Sequence, residues 1–171
     1  MFYIVLCSLF MEENTENTTG NAIESATIEK YLIFLIQEKR YALPSKIISE
    51  VTVLEKVFPL PLVPDYVRGI INRYSVPYAL IDISFLLLNG TSNARKMIVL
   101  KEEVDKLAFL IDDVADIADL PSEKLMKIDQ EESALAGTIN AFFEWKGNQV
   151  FCLEASEIIN RIKQDFGQET N

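Results

Sequence analysis

The stretch Lys30–Leu43, KYLIFLIQEKRYAL, decides the fold. It contains an apolar run of strand length at Tyr31–Ile36, a polar turn at Gln37–Lys39 and a second short strand at Arg40–Leu43. Pro44 ends the second strand, because proline has no N–H to donate to a neighbouring strand. The stretch therefore predicts a β-hairpin at the start of the folded region.

The same pattern restarts at Lys96–Phe109, KMIVLKEEVDKLAF, 66 residues after the first. Later segments also match in pairs, which indicates an internal repeat. The further matches are Ile48 with Val114, Val51 with Ile117, GIIN at Gly69 with GTIN at Gly137, and ALIDISFLL ending at Leu87 with FCLEASEII ending at Ile159. Each unit is expected to hold about four or five short strands and one short helix.

The rest of the chain supplies the other elements of each unit. Ser45 is predicted to cap a short helix that carries Ile47 and Ile48, and three prolines force an irregular connection after the next strand. The predicted strands are Val51–Val57, Gly69–Asn72, Tyr78–Asp82, Lys96–Lys101, Leu107–Ile111, Gly137–Trp145 and Val150–Leu153, and the prolines are Pro59, Pro61 and Pro64. A short helix at Ile83–Leu88 is expected to stop at Asn89-Gly90.

A unit of about 65 residues buries little surface alone, so two units are expected to pack together. Short strands with tight turns favour small barrels. We predict a mostly β fold with two small five-stranded β-barrel subdomains related by a rough twofold, at about 30–90 and 96–153. Apolar residues at helical spacing, including Ile158 and Ile162, predict a C-terminal amphipathic helix over about 155–166.

The N-terminal segment 1–29 is expected to lie outside the folded region. Met1–Phe10 is apolar, but it has no positive charge and no cleavage site follows it, so it does not resemble a secretory signal. Met11 is the expected natural start, and the alternative is that the leader packs on the body as an extra strand or helix. Residues 11–29 are rich in Glu, Asn and Thr and are expected to be a flexible tail, with order beginning near Lys30.

Composition excludes several classes of function. The 171 residues are 49% hydrophobic and 25% charged, a balance typical of a soluble globular protein, and no apolar run is long enough to span a membrane. The net charge of −10 disfavours nucleic acid and anionic lipid as partners. With no histidine, the chain has no Ser-His-Asp catalysis, no histidine metal site and no phosphohistidine relay. Cys152 is predicted to be a small core residue, and no cofactor is expected.

Two other clusters carry weak functional interpretations. Leu107–Asp113 resembles the strand and paired acids that open a receiver domain, but a receiver needs more chain after it. Four acids after this strand could also suggest a calcium loop, but they lack its turn glycine and closing glutamate. A solvated acidic edge is the preferred interpretation. These acids are Asp112, Asp113, Asp116 and Asp119. The scattered aromatic residues, such as Tyr74 and Trp145, are predicted to lie in the core or at the edges of the barrels.

The order of the motifs resembles that of the CheW-like family of chemotaxis coupling proteins. No single motif is specific, but the ordered set is, and it extends from about Lys30 to about Ile162. The matching segments are Tyr31–Phe34, Tyr41–Pro44, Ile48–Val51, Pro59–Pro61, Pro64–Asn72, Leu80–Ile83, Phe109–Val114 and, more loosely, Cys152–Glu154 with Ile158-Ile159. The resemblance implies one domain over about 30–166, built from two SH3-like subdomains.

The resemblance also implies a function. CheW-like proteins are non-catalytic adaptors that hold the regulatory domain of a CheA-type histidine kinase against the cytoplasmic tip of methyl-accepting chemoreceptors, so a cytoplasmic location at receptor arrays is implied. The receptor's helical hairpin would lie in an apolar groove between the halves. The positions implied to contact these partners are Ile48, Glu50, Gly69, Tyr74 and Met97. The alternative is that Ile48 and Met97 are core residues and that Gly69 is required by the backbone.

One departure from the family pattern affects the expected partner. The family has Arg-Gly where this chain has Tyr74-Ser75, and a tyrosine cannot supply the charge or the bidentate geometry of arginine. It is therefore open whether this chain contacts its partners in the geometry that is usual for the family. The alternatives are a diverged adaptor for pilus or gliding motility, and a sensor or enzyme that uses the groove to bind a small molecule.

Overall fold

A computed structural model describes residues 27–88, 90, 94–128 and 137–167, and these residues form a mostly β fold, as predicted. The strands are β1 (Ile28–Ile36), β2 (Lys39–Pro44), β3 (Ile48–Val53), β4 (Val67–Arg73), β5 (Val76–Asp82), β6 (Lys96–Leu100), β7 (Leu107–Ile111), β8 (Asp113–Pro121), β9 (Met126–Lys127), β10 (Ile139–Trp145) and β11 (Asn148–Leu153). The helices are α1 (Ile83–Leu88) and α2 (Ala155–Gly167), with 3-10 turns at Ser45–Ile47 and Ser122–Lys124.

The strands form two sheets, one for each SH3-like subdomain. Sheet A has the order β8-β1-β2-β11-β10-β9, and sheet B has the order β3-β6-β7-β5-β4. Five strands were predicted in each, and sheet A gains a sixth because the two-residue β9 pairs with β10. Among the described residues, the strands at the two ends of a sheet do not pair with each other, so neither sheet is closed by backbone hydrogen bonds.

The two sheets do not follow the two halves of the sequence, so the predicted boundaries of the barrels at 30–90 and 96–153 are wrong. Sheet A takes the hairpin β1–β2 from the first half and its other strands from the second, and sheet B does the reverse with β6–β7. Only the three-residue turn Ser45–Ile47 separates β2 from β3, and it directs the chain out of sheet A to pair with β6. Each hairpin pairs in parallel with a strand from the other half of the sequence, β2 with β11 in sheet A and β7 with β5 in sheet B.

Three apolar clusters explain why the units pack together. One lies inside sheet A around Phe143 and includes Cys152, which is buried as predicted, and burial raises the pKa of its thiol to about 12. A second lies inside sheet B around Tyr78. The largest joins side chains of both sheets, such as Phe34 and Phe109, with the apolar face of α2. This shared core confirms the expectation that the two units pack together.

Several local predictions need correction. Ser45 is not a helix cap: it is the buried first residue of the 3-10 turn, its hydroxyl caps nothing, and Ile48 already belongs to β3. Order begins earlier than predicted, since Ile28 and Glu29 pair with β8. The leader 1–10, the rest of the tail up to residue 26, and Asn89 lie outside the described residues.

The match of GIIN with GTIN does not correspond to equivalent positions, since Gly69 lies within β4 while Gly137 precedes β10. The hairpins β4–β5 and β10–β11 correspond with an offset of 72 residues, which aligns the turn Tyr74-Ser75 with Lys146-Gly147. None of the helices in the described part of the chain is long and apolar enough to cross a membrane.

Candidate partner-binding surface

All five residues implied by the family resemblance lie on sheet B. They occupy three strands and one turn: Ile48 and Glu50 on β3, Met97 on β6, Gly69 on β4, and Tyr74 in the β4–β5 turn. The structure therefore brings these positions into one subdomain. It does not give them the same exposure.

The expectation that Ile48 is a partly exposed groove residue is wrong. Ile48 is 1% exposed in the core shared by the two sheets, and Met97 is fully buried inside sheet B. Alternation along the strands points both side chains inward. The apolar faces between the sheets likewise pack on each other and on Ile158 and Ile162 of α2. Neither Ile48 nor Met97 can contact a partner in this conformation. Both side chains pack in the core beneath the strands.

Gly69 is required by the backbone, the alternative that the sequence left open. Its φ is +132°, a conformation that side chains disfavour. A Cβ at this position would lie 2.3 Å from the carbonyl oxygen of Phe58, whose backbone bonds to Ile70 next door. The glycine thus allows the segment before β4 to lie along the edge of sheet B.

An ion pair between Glu50 and Arg73 spans the open side of sheet B. Arg73 Nε lies 2.7 Å from Glu50 Oε1, and Arg73 Nη2 lies 3.0 Å from Glu50 Oε2, a bidentate geometry. The two side chains are 14% and 12% exposed, and their strands β3 and β4 stand at opposite ends of the sheet. The hydrogen bonds to Glu50 raise the pKa of the guanidinium further above its already high value.

Arg73 was missed in the sequence because the family pattern places its arginine one residue later. The expectation that charge is lost at this turn is therefore only half right. A guanidinium remains at the neighbouring position, but Glu50 engages it. The available indication was an arginine directly before Tyr74, together with a glutamate in the family-matching segment Ile48–Val51.

Tyr74 is held in an exposed position at the tip of the β4–β5 hairpin. Its side chain is 77% exposed, and the Arg73 guanidinium lies 5.1 Å from the centre of its ring. Tyr74 and Ser75 have φ values of 50° and 68°, which a type I′ hairpin turn needs and which Asn-Gly adopts more easily. A large aromatic residue at a position with this conformational cost suggests a role outside the fold.

An apolar segment lies beside this turn. Val53, Phe58, Leu60 and Leu62 are among the exposed large hydrophobic residues, and Leu62 is 93% exposed. Arg73 Nη1 contacts Glu55 Oε1 at 3.4 Å, which places the start of the segment beside the turn, and the antiparallel bridge of Phe58 with Ile70 continues it along the edge of sheet B. We call Tyr74, Glu55 and these four side chains the tip surface. The sequence concealed the apolar part, because the prolines around it remove any strand or helix periodicity.

The acidic residues after β7 form a structural edge. Lys96 pairs with Asp113, and Asp116 accepts hydrogen bonds from Trp145 and Lys146. No group of three or more potential metal-binding side chains occurs in the described ranges. Asp112 also accepts a hydrogen bond from the backbone N–H of Gln37, so three of the four acids make contacts within the fold.

Breaking the Glu50–Arg73 pair should destabilise the protein clearly. Glu50→Ala should cost about 3 kcal/mol of unfolding free energy, because it leaves a mostly buried guanidinium without its main partner. Chemical denaturation measures this cost, and the double variant with Arg73→Ala should be less unstable than the sum of the two single variants. The matched control is Glu55→Ala, at a 71% exposed carboxylate on the same guanidinium, which should change stability by less than about 0.5 kcal/mol. Equal effects of the two glutamate variants would show that Glu50 does not hold the pair together.

The chain was compared with known proteins. The sequence-family model of the CheW-like domain matches residues 30–163 of this chain. Among solved structures, the crystal structure of scaffolding protein TtCheW from Thermoanaerobacter tengcongensis is similar, with a TM-score of 0.67 and 14% identity, over 80% of this chain and 90% of that one. At that identity the similarity concerns the fold. No curated protein sequence matches the chain.

Proposed function

The chain belongs to the CheW-like domain family, and we propose that it is a cytoplasmic, non-catalytic adaptor that couples chemoreceptors to a CheA-type histidine kinase. The observation that carries the proposal is the tip surface on the family fold. In this role the protein performs no chemistry. It contributes binding free energy to two partners and fixes their relative positions.

The tip surface has properties of a protein-binding site. It combines an exposed aromatic ring at the turn with apolar side chains exposed along the same sheet edge, and aromatic and apolar groups anchor many protein interfaces. Its backbone is already ordered by the Glu50–Arg73 pair and by the bonds between Phe58 and Ile70, so little conformational entropy is lost on binding. The apolar face of a helical receptor tip or a hairpin of the kinase regulatory domain would fit such a surface.

Charge sets how this surface is expected to behave. Arg73 is paired within the fold and Tyr74 carries no charge, so apolar contact should supply most of the affinity. Binding should therefore depend less on salt than at an interface anchored by an exposed arginine. The Tyr74-Ser75 departure also favours a second candidate function, an adaptor of the same fold in pilus or gliding motility.

Removing the Tyr74 ring should weaken binding without loss of stability. Tyr74→Asn is the informative variant, because asparagine tolerates the left-handed turn conformation that Tyr74 occupies. Truncation of an interface anchor of this kind costs about 2 kcal/mol or more of binding free energy. Calorimetric titration against a receptor-tip fragment and against the kinase regulatory domain should show weaker binding to at least one of them.

Two further variants make the titration decisive. Phe166→Ala removes another exposed aromatic residue, from α2, and should leave both affinities unchanged. Tyr74→Arg restores the family's charge and should strengthen binding to a standard chemotaxis partner. If Tyr74→Asn and Tyr74→Arg both bind as the unmodified protein does, the tip surface does not serve this pathway.

A further inference from the structure

The two sheets carry carboxylates at repeat-related positions on their edge strands. Glu50 on β3 and Asp116 on β8 are 66 residues apart, the offset of the sequence repeat. Each directly follows a β-bulge residue, because the pairing of β3 with β6 skips Ser49 and the pairing of β8 with β1 skips Ala115. A β-bulge changes the direction of the side chains beside it, so the same backbone irregularity orients both carboxylates.

The donors to these carboxylates are also repeat-related. Arg73 and Trp145 are the last residues of β4 and β10, each directly before a two-residue turn. Arg73 Nε donates to Glu50 at 2.7 Å, and Trp145 Nε1 donates to Asp116 Oδ2 at 2.8 Å. The two contacts have the same topology, but a charged guanidinium acts in sheet B and an uncharged indole acts in sheet A.

Each turn also pairs a cation with an aromatic ring. The two residue types have exchanged places between the last residue of the strand and the first residue of the turn. In sheet B the cation of Arg73 lies over the ring of Tyr74, and in sheet A the Nζ of Lys146 lies 5.7 Å from the centre of the Trp145 ring. Lys146 also donates to Asp116 at 2.6 Å, but its side chain is 70% exposed. An exposed ion pair of this kind contributes little, so the indole hydrogen bond is the main holding contact.

The sheet A contact spans an open side, as the sheet B contact does. Strands β8 and β10 are the first and fifth in the order of sheet A, and no backbone pairing joins them within the described residues. Trp145 packs on the apolar cluster inside sheet A, and Asp116 meets it there from the opposite strand. The hydrogen bonds from Lys146 and Trp145 lower the pKa of Asp116 to about 2, so the carboxylate is charged at neutral pH.

We propose that Asp116 is a positioning residue, the sheet A counterpart of Glu50, which holds the β10–β11 tip against β8 through the indole of Trp145. The contact closes the open side of sheet A with a hydrogen bond where sheet B uses an ion pair. The role concerns the geometry of the subdomain and is independent of which partner the protein binds.

Trp145 is the only tryptophan in the chain, so tryptophan fluorescence reports on the surroundings of this one side chain. In Asp116→Ala the emission of the full chain should shift to the red and acrylamide should quench it more strongly, because the indole is no longer held over the cluster. Asp119→Ala, at an exposed acid on the same strand, is the matched control and should leave both unchanged. Asp116→Asn keeps an acceptor and should restore most of the unmodified emission, and Lys146→Ala should change it little.

A second variant covers the case in which Asp116→Ala does not fold. Trp145→Phe keeps the apolar packing but removes the donor, and amide hydrogen exchange at the β10–β11 tip should then become faster, with exchange in β1 and β2 unchanged. The proposal is overturned if a folded Asp116→Ala has the emission and quenching of Asp119→Ala. It is also overturned if Trp145→Phe leaves exchange at the tip unchanged.

Discussion

Ile48→Asp should abolish cooperative folding. The side chain is 1% exposed within the core that both sheets share, and it packs there among apolar side chains that offer a carboxylate no partner. An unpaired charge buried there costs several kcal/mol, against a typical total stability of about 5–15 kcal/mol. Circular dichroism during thermal and chemical denaturation would show the loss of the unfolding transition.

Two matched variants separate burial from charge at this position. Ile48→Val removes one methyl group and should cost about 1 kcal/mol while the transition stays cooperative. Ser49→Asp introduces the same charge one residue further on, at an exposed site, and should unfold close to the unmodified protein. If Ile48→Asp unfolded like Ser49→Asp, Ile48 would be the partly exposed groove residue that the family resemblance first suggested.

Gly69→Ala should be the most damaging substitution on the edge of sheet B. The new Cβ would lie 2.3 Å from the Phe58 carbonyl oxygen, a contact that requires the backbone to move, and alanine is strained at a φ of +132°. Together the strain and the displaced strand edge should cost about 3 kcal/mol or more. The midpoint of urea denaturation, at an unchanged slope, measures this cost.

Gly147→Ala is the control for the backbone contribution. Gly147 also has a positive φ, +75°, but an added Cβ would meet nothing within 4 Å. It should therefore cost only about 1 kcal/mol of strain. Similar losses at the two glycines would mean that the Phe58 carbonyl does not constrain Gly69, and that its conformation alone accounts for the glycine.

The sequence indicated most of the elements, though not β8 or β9, and it did not indicate their assembly. Apolar runs separated by polar turns predicted the hairpins β1–β2 and β6–β7, and helical spacing predicted α2. The exchange of hairpins between the sheets was not predictable, because it depends on parallel pairings between strands far apart in the chain. Repeat matching also suggested contiguous barrels, which the three-residue turn after β2 prevents.

The candidate site shows a similar division. The resemblance implied five positions that the fold brings to one sheet and one of its turns, but it could not tell which face of a strand points inward, so Ile48 and Met97 were expected at a surface and lie in cores. Arg73 and Asp116 act through contacts across the open sides of the sheets. Such contacts join residues that no local spacing connects, and only the folded chain reveals them.

A single measurement tests the adaptor function most directly: whether the chain binds a receptor-tip fragment and a kinase regulatory domain at the same time. Sedimentation velocity of the three components should show one species that contains all of them, and Tyr74→Asn should shift the mixture toward smaller species. If the two partners compete for the chain, or if neither binds it, the protein does not couple receptor to kinase.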